Sequence, residues 1–421
     1  MKRIFFFVFF LNSLRIFAQY NLDFYLAKGF ENSPSLKQIE NLETINKYQG
    51  ELNYSQTSAI QTYLSADYLF APYFNNNGKL ISANPAPKAI GYDIGITNGG
   101  LYSAQINVEK NIFNGGLTSA LDNQIDIHQK QYKFNYDYEH RNLKKQVTEQ
   151  YLAAYKSLMI YRLSKNVVKN IESQLNITGE MVEQGYEKSQ NYLVLKIELQ
   201  SQQIALNENL QQYKNDLMQL NSLCGIKDTQ TVFIDSIQIK IEDRKTDFNF
   251  LEKFKLDSLV TANQQELFET KYKPQIKLFF NTGLNAIELD GIQRKFGLSA
   301  GINFQLPILD GGQKDITRQQ NEVSISSIKN YMRFALANIE IQKHNTLSNI
   351  HLIRNNLKSI DSQLEEYNEL IKISDKQIQT GGISMIEYLT ILKNFIDLQK
   401  TKIEKEINLQ METNNYNYWN E

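Results

Sequence analysis

Few side chains of this sequence have types and spacings that could do chemistry. His344 and His351 lie seven residues apart, which places both on one face of a helix, whereas His128 and His140 stand apart from them. A metal site would gather such residues with carboxylates, and Cys224 is the only cysteine, so a cysteine-rich zinc site and an intramolecular disulfide are excluded. No cluster of nucleophile and base of the kind a hydrolase needs is recognisable. We therefore predict no catalytic residue, no cofactor and no metal site.

Paired glycines are the other pattern that could carry chemistry, because glycine-rich loops can hold phosphate. No Gly-Lys-Ser/Thr follows any of the pairs, so the phosphate-loop signature is absent. Two of the pairs stand between a strand pattern and a long helix, where glycine permits a sharp backbone turn. The pattern predicts strand–helix turns at Gly115, Gly116, Gly311 and Gly312.

The overall composition favours helices and gives no sign of a nucleic-acid partner. The 421 residues include 45 Lys+Arg and 46 Asp+Glu, a net charge of 45 − 46 = −1, so no broad cationic field is present. Six prolines and twenty glycines are few for this length, which indicates much helix and few loops.

The beginning of the chain has the pattern of a secretory signal. Lys2 and Arg3 precede an apolar run, Ile4 to Leu11, and Ala18 offers a cleavage point before Gln19. A buried helix or a membrane anchor is the alternative, but eight apolar residues are far below the roughly 20 that span a bilayer. Residues 1–18 are predicted to be removed on export. No later segment reaches 18 apolar residues, so insertion into a membrane would have to use strands.

An internal repeat runs through the chain at one fixed offset. The segment Asn111-Ile-Phe-Asn-Gly-Gly116 is echoed by Pro307-Ile-Leu-Asp-Gly-Gly312, and Gly115 and Gly311 differ by 311 − 115 = 196. The same offset relates Gly185 to Gly381 and Tyr192 to Tyr388. Separate anchors that share one offset indicate a duplication.

Each half of the duplication is predicted to contain a helix, a strand pair, a very long helix and a further helix. The first repeat covers 19–222, with strands 63–74 and 102–113, a long helix 117–182 and a helix 191–222. A linker with a minor strand near 232–239 follows at 223–246. The second repeat covers 247–421, with strands 274–285 and 296–308, a long helix 313–378 and a helix 384–415.

The predicted strands alternate between apolar and polar residues. From Phe296 to Leu306 every second residue is apolar or Ala, and the residues between them are Gly, Ser, Asn or Gln. This pattern fits a soluble sheet on a helical core, and it also fits outer-membrane strands with lipid on one side and a lumen on the other. Four strands cannot close a barrel, and open edges are not tolerated in lipid, so the membrane alternative requires several copies of the chain. The longer loop, 71–101, would then lie outside the cell.

The long helices exceed the size of a compact domain. Each would run about 65 residues, or about 100 Å. Apolar residues from Leu199 to Cys224 recur in steps of three, four and seven, which indicates helix-on-helix packing. A soluble coiled-coil scaffold would show the same pattern.

These features together resemble the TolC family of outer-membrane efflux channels. The first helix ends in Asn32-Ser-Pro34, the second strand pair contains Lys273-Pro-Gln-Ile and Gly297-Leu-Ser-Ala-Gly, and Gly381 to Leu389 resembles the tip of the family's helical hairpin. Each motif alone is weak, but their order and spacing along most of the chain are specific.

The resemblance implies a fold that is mainly α with a small β part. Long α-helical hairpins would form a trimeric helical barrel, and four strands per chain would contribute to a 12-stranded transmembrane β-barrel. The homotrimer would lie in outer-membrane lipid with its helical part in the periplasm of a Gram-negative cell. It would passively conduct drugs, metal ions or proteins received from a periplasmic adaptor protein and an inner-membrane transporter. Adaptor docking would fall at the hairpin tips, Gly185, Tyr186, Gly381, Gly382 and Ile383.

In this family acidic residues narrow the periplasmic end just beyond the hairpin-tip glycines. Glu387 matches such a position, six residues after Gly381. Its counterpart in the first repeat is Asn191, and the family's next acidic position falls on Thr390. The resemblance therefore implies one ring of three glutamates in place of several, although a solvated Glu on a helix surface remains the alternative.

A periplasmic adaptor or coiled-coil scaffold is the alternative function, because such proteins also combine a signal with long hairpins. Adaptors usually place one hairpin within a β-rich domain and have no lipid-facing strand pairs. The sequence does not name a cargo for either function.

The glutamate ring leads to the first prediction. Replacing Glu387 with Gln is expected to lower the preference for cations, because a ring of carboxylates attracts cations to a narrow aperture. The reversal potential in single-channel recordings under a salt gradient measures this preference. A reversal potential identical to that of the unsubstituted protein would contradict a selectivity role for Glu387.

Overall fold

The fold is described from a computed structural model of the chain. The residues described are 20–69, 74, 77–79, 86–92, 102–242, 249–286, 290–380 and 382–420. The predicted signal, residues 1–18, lies outside them, as do residues 70–73 of the first predicted strand and most of loop 71–101.

The order of elements repeats once along the chain. The first half contains α1 (Leu22–Asn32), α2 (Pro34–Thr57), β1 (Gln61–Tyr68), β2 (Tyr102–Asn114), α3 (Leu117–Glu183) and α4 (Ser189–Leu223). The second half contains α5 (Glu252–Thr270), β3 (Gln275–Ala286), β4 (Phe296–Gln305), α6 (Gln313–Gln379) and α7 (Met385–Asn420), with a short 3₁₀ turn at Ile292–Arg294. Both long helices, α3 and α6, have 67 residues.

A break at Ser33 separates α1 from α2. Proline has no backbone N–H to donate and disfavours the helical conformation in the residue before it, so Ser33 is extended and Pro34 begins a new helix. The Ser33 hydroxyl accepts a hydrogen bond from Leu36 N at 3.4 Å and so helps to cap α2.

The chain forms two compact units. One contains α1, α4 and α7 with residues 137–183 of α3 and 336–379 of α6. The other contains the sheet, α5, most of α2 and the remaining parts of α3 and α6. In the described part of the chain, no helix is both long enough and apolar enough to cross a membrane.

In the first unit, helices from both repeats share one apolar core. Val167 and Ile171 of α3, Leu195 of α4, Ile378 of α6 and Tyr388 of α7 belong to the same buried cluster. The periodic apolar seams of the four helices therefore pack against one another, as heptad spacing predicts.

The inter-repeat linker contains no strand over its described residues 223–242, so the prediction of a minor strand near 232–239 is wrong. Side chains of the helices hold its backbone instead. Tyr151 donates its hydroxyl to the carbonyl of Asp235 at 2.7 Å, and Tyr213 donates to the carbonyl of Val232. Asn417 Nδ2 donates to the carbonyl of Lys240 at 2.8 Å. These bonds satisfy backbone groups that a sheet neighbour would otherwise pair.

In the second unit, the strands form one antiparallel sheet in the order β1-β2-β3-β4. Leu64 pairs with Ile106, Ile106 with Thr282 and Thr282 with Leu298, so the apolar positions of all four strands share one face. Leu64 and Leu298 are each 75% exposed. The sheet therefore does not bury this face on a helical core of its own unit, as the soluble-sheet interpretation requires.

Glycine is required at one position inside the sheet. Gly283 has φ of 150°, and a Cβ atom there would lie 2.7 Å from Gln105 Cα and would also clash with the carbonyl oxygen of Ala104. Its cross-strand partner Gly297 has open space around the corresponding position. Of this cross-strand pair, only Gly283 requires the absence of a side chain.

Replacing Gly283 with Ala is therefore expected to lower the free energy of unfolding by roughly 1–3 kcal/mol, because strain and overpacking act on the backbone of β2. Gly297→Ala, the control, should change it by less than roughly 1 kcal/mol. Denaturant unfolding of the detergent-solubilised protein, followed by circular dichroism, measures both. Equal losses in the two variants would contradict the packing described for β2 and β3.

Candidate channel surfaces on the sheet and at the hairpin tips

The face of the sheet opposite the apolar residues is polar and internally bonded. Glu109 accepts a hydrogen bond from the Tyr63 hydroxyl at 2.9 Å and forms an ion pair with Lys277, whose Nζ lies 3.0 Å away. Asn107 Nδ2 donates to Ser65 Oγ at 2.7 Å. The side chains bridge β1, β2 and β3 and line a groove of about 420 Å³. The charges are paired across strands, so the groove offers water a polar surface of nearly balanced charge.

One large apolar side chain, Phe279, lies on this polar face and covers a glycine of the next strand. Phe279 pairs directly with Gly301, and its ring occupies the space that a Cβ atom of residue 301 would take. An aromatic ring over a cross-strand glycine restores packing that the glycine lacks. The ring therefore lies along the sheet, and the polar character of the face is maintained.

The strand–helix turns hold all four glycines predicted there. Gly115, Gly116, Gly311 and Gly312 have φ between 64° and 83°, a conformation that favours glycine. Asp310 accepts hydrogen bonds from the backbone N–H of Gly312 at 2.9 Å and of Lys314 at 3.0 Å. The first turn of α6 is thus capped by its own chain, which leaves these amides engaged and fits a turn better than a phosphate loop.

At the first hairpin tip, α3 ends in a glycine-dependent turn. Gly185 has φ of 81°, and Tyr186 N donates to the carbonyl of Met181 at 2.8 Å, the pattern of a Schellman motif. Glu187 Oε1 accepts from Lys188 N at 2.7 Å and from Asn191 Nδ2 at 2.9 Å. This tip therefore carries a carboxylate, although the position predicted from the repeat, Asn191, is neutral.

The second hairpin tip is organised by a reciprocal cap. Gly381 lies outside the described residues, and Gly382 N donates to the carbonyl of Gln377 at 2.8 Å. Glu387 Oε2 accepts from Ser384 N at 2.8 Å and from Ser384 Oγ at 3.0 Å, while Glu387 N donates to Ser384 Oγ at 3.2 Å. This is a capping box at the start of α7.

The environment of Glu387 keeps it ionised. Its hydrogen bond from the backbone N–H of Ser384, followed by that from the Ser384 hydroxyl, holds the pKa of the Glu387 carboxyl below its usual value. Its negative charge also suits the positive end of the α7 dipole. Glu387 is exposed at the tip, so the side chain predicted to line an aperture also caps its own helix.

The other predicted tip residues have local roles. Thr390 Oγ1 donates to the carbonyl of Ile386 on its own helix at 2.8 Å. Ile383 packs, partly buried, against the apolar core cluster of the first unit, whereas Tyr186 is 78% exposed. Tyr186 thus presents its ring on the surface of the described chain, whereas Ile383 is engaged within the chain.

Two features of the tips were not predicted from the sequence. Glu187 was missed because repeat matching pointed to Asn191. The capping box was missed although its signature, Ser384-x-x-Glu387, is readable in the sequence.

The next residue, Tyr388, ties the start of α7 to the end of α6. Its hydroxyl donates to Asp375 Oδ1 at 2.9 Å, and burial raises the pKa of Tyr388.

Histidines, cysteine and carboxylates do not assemble into a metal site in the part of the chain that the structure describes, where no group of three such side chains comes together. Cys224 is buried, and burial raises the pKa of its thiol to about 12. It is therefore a packing residue with little thiolate character.

Solved structures with the same architecture are outer-membrane proteins. The VceC outer membrane protein of Vibrio cholerae superposes with a TM-score of 0.71 at 11% identity, and the match covers 95% of each chain. The outer-membrane channel OprN superposes with 0.70 at 9% identity, over 95% of this chain and 89% of that one. The fold is that of the TolC family of channels.

A third structure, CusC, was determined in a study of folding and transmembrane channel formation, and it has the same TolC fold. It superposes with a TM-score of 0.69 at 11% identity over 96% of this chain and 92% of its own. No protein-family profile and no curated protein sequence matches the chain. At these identities the side chains have diverged almost completely, so the duplicated helix–sheet architecture carries the similarity.

The capping box at the second tip can be separated from the charge it carries. Glu387→Ala removes both, so amide hydrogen exchange in residues 384–390 is expected to rise roughly two- to tenfold. Glu387→Gln keeps a carbonyl acceptor but loses the charge, so its exchange should lie between those of the unsubstituted protein and Glu387→Ala. Because the folded pKa is depressed, the charged cap contributes fully above about pH 4.5 and loses that contribution as pH falls through the folded pKa. Equal exchange in all three proteins at pH 7 would contradict the cap.

Proposed function

We propose that the chain is the outer-membrane exit duct of an export system, built from three copies. The observation that carries this proposal is the sheet, which exposes an apolar face on one side and an internally bonded polar face on the other. An apolar face of this extent suits lipid, and a polar face suits a water-filled lumen.

The number of copies follows from the size of the lumen. Each chain supplies four strands, and β1 and β4 each have only one neighbour among the described strands. Two copies would give eight strands, whose interior side chains fill the space. Three copies give twelve, the smallest multiple of four that leaves an aqueous passage. The resemblance to TolC-fold channels supports the same number.

The strands lie in the outer membrane, and the helical hairpins extend into the periplasm. Their tips, at Gly185, Tyr186 and 382–383, meet an adaptor protein that links the duct to an inner-membrane transporter. The duct performs no chemistry, and the transporter supplies the energy.

The tips also set the electrostatics of the periplasmic entrance in this proposal. Glu187 and Glu387 each hold a carboxylate at an exposed hairpin tip. Threefold symmetry multiplies each into a ring of three, so the entrance has two acidic rings where the family resemblance implied one. Such rings favour cations over anions.

Planar-bilayer recording tests the duct directly. The folded protein, purified from outer membranes, is expected to give discrete ohmic current steps with no nucleotide and no partner protein, because the lumen is an open polar passage. A detergent extract from cells without the protein is the control. Folded protein that inserts into the bilayer yet conducts no more than the control would contradict the proposal and favour a scaffold.

A further inference from the structure

The internal duplication also indicates how neighbouring copies join, residue by residue. We infer that β4 of one copy pairs with β1 of the next in the register that places Asn303 opposite Asp67 and Phe304 opposite Ala66. This inference rests on the proposed assembly of several copies. The pairing of β2 with β3 inside each chain is the template for this joint.

β4 is the repeat counterpart of β2. At the offset of 196, residues 103, 104, 106 and 107 of β2 correspond to 299, 300, 302 and 303 of β4, and all four pairs are identical: Ser, Ala, Ile and Asn. The offset that relates the glycine turns therefore holds through the strands without a shift.

β1 likewise corresponds to β3. Val108 pairs with Thr62 in the first hairpin, and its counterpart Phe304 pairs with Ile276 in the second. Thr62 of β1 therefore corresponds to Ile276 of β3, and the offset between these two strands is 276 − 62 = 214. The template pairs Asn107 with Asn281. Applying the two offsets, 196 to Asn107 and 214 to Asn281, places Asn303 opposite residue 281 − 214 = 67, which is Asp67 of the next copy.

The faces of the strands agree with this register. Phe304 and Ala66 both belong to the apolar face, whereas Asn303 and Asp67 both belong to the polar face. A slip of one residue would place Phe304 opposite Asp67 and mix the two faces. Slips of two residues keep the faces matched, so the duplication is what selects one register among these.

The end of β4 differs from the end of its repeat counterpart β2. β2 continues to Asn114, where it pairs with Gln275, but β4 ends at Gln305, five residues before the counterpart of Asn114. Ile308 and Leu309 are 88% and 92% exposed, compared with 54% and 48% for their counterparts Ile112 and Phe113. The same sequence pattern is thus a strand where β3 pairs with it, and an exposed segment where no described strand does.

The helices beside the strands show the same contrast. Asn263 of α5 donates to the carbonyl of Ala120 on α3 at 2.9 Å. Ala120 and Ile127 on this part of α3 are 0% and 4% exposed, and their counterparts Ile316 and Val323 on α6 are 55% and 67% exposed.

The helix that takes the place of α5 at the joint is α2 of the next copy, because α2 precedes β1 as α5 precedes β3. Its described residues include an exposed apolar row, Ile45, Tyr48 and Leu52, at helical spacing. The seam therefore joins α6 and β4 of one copy to α2 and β1 of the next, and each copy supplies both sides.

Paired cysteines test the register in the assembled protein. Opposed residues of an antiparallel pair have Cα atoms about 4.5–5.5 Å apart, within reach of a disulfide, whereas diagonal positions are beyond about 7 Å. Asn303→Cys is combined with Asp67→Cys, and the matched controls combine it with Ser65→Cys or Leu69→Cys. Ile302→Cys with Tyr68→Cys tests the adjacent opposed pair. The native Cys224 is buried and does not interfere.

After mild oxidation of outer membranes, non-reducing electrophoresis measures covalent dimers and trimers. The 303/67 pair is expected to form roughly tenfold more of them than either control pair, with the 302/68 pair also above the controls. Dominant cross-linking of 303/65 or 303/69 in protein that still conducts would overturn the register but not the duct. If the protein conducts but no cysteine pair forms cross-links, the β4–β1 joint is overturned. If the unsubstituted protein does not conduct, the proposed function itself is overturned.

Discussion

Unpaired backbone groups at the two edges of the sheet constrain the rest of the structure. β1 and β4 each present a row of N–H and C=O groups that no other described strand of the chain pairs, next to an apolar face that is exposed. In water this arrangement invites aggregation, and in lipid each unsatisfied backbone group costs several kcal/mol. Closure with further copies, as proposed, would satisfy both edges at once and convert the polar face into the wall of a lumen. In the proposed duct, assembly, membrane insertion and the passage all follow from one hydrogen-bonding requirement.

Duplication makes this closure geometrically simple. Because the two repeats have the same order of elements, the pairing of β2 with β3 inside a chain can recur between chains as β4 with β1. The glycine pairs at the strand–helix turns recur in both halves, so each strand pair leads into a 67-residue helix by the same backbone turn. The helical hairpins share one apolar core across the repeats, which couples the tips of the two hairpins within a chain.

Much of this architecture is predictable from sequence because the signals are periodic. The alternation from Phe296 to Leu306 identifies a strand and both of its faces, and the absence of proline after Gly116 and Gly312 identifies helices that begin at Leu117 and Gln313. The linker could not be predicted in the same way. Its alternating residues near 232–239 resemble a strand, but Tyr151, Tyr213 and Asn417, distant in sequence, bind its backbone. The tip carboxylate of Glu187 escaped detection because its position has no acidic counterpart in the other repeat, where the charge stands at Glu387 instead.

Native mass spectrometry of the protein extracted from outer membranes tests the central claim most directly. If open sheet edges drive closure, the detergent-released complex has three times the mass of the mature chain, with no monomer at concentrations where the complex stays folded. A folded, stable monomer recovered from the soluble periplasm would contradict this account, because its exposed strand faces and edges would then have to be satisfied within a single chain.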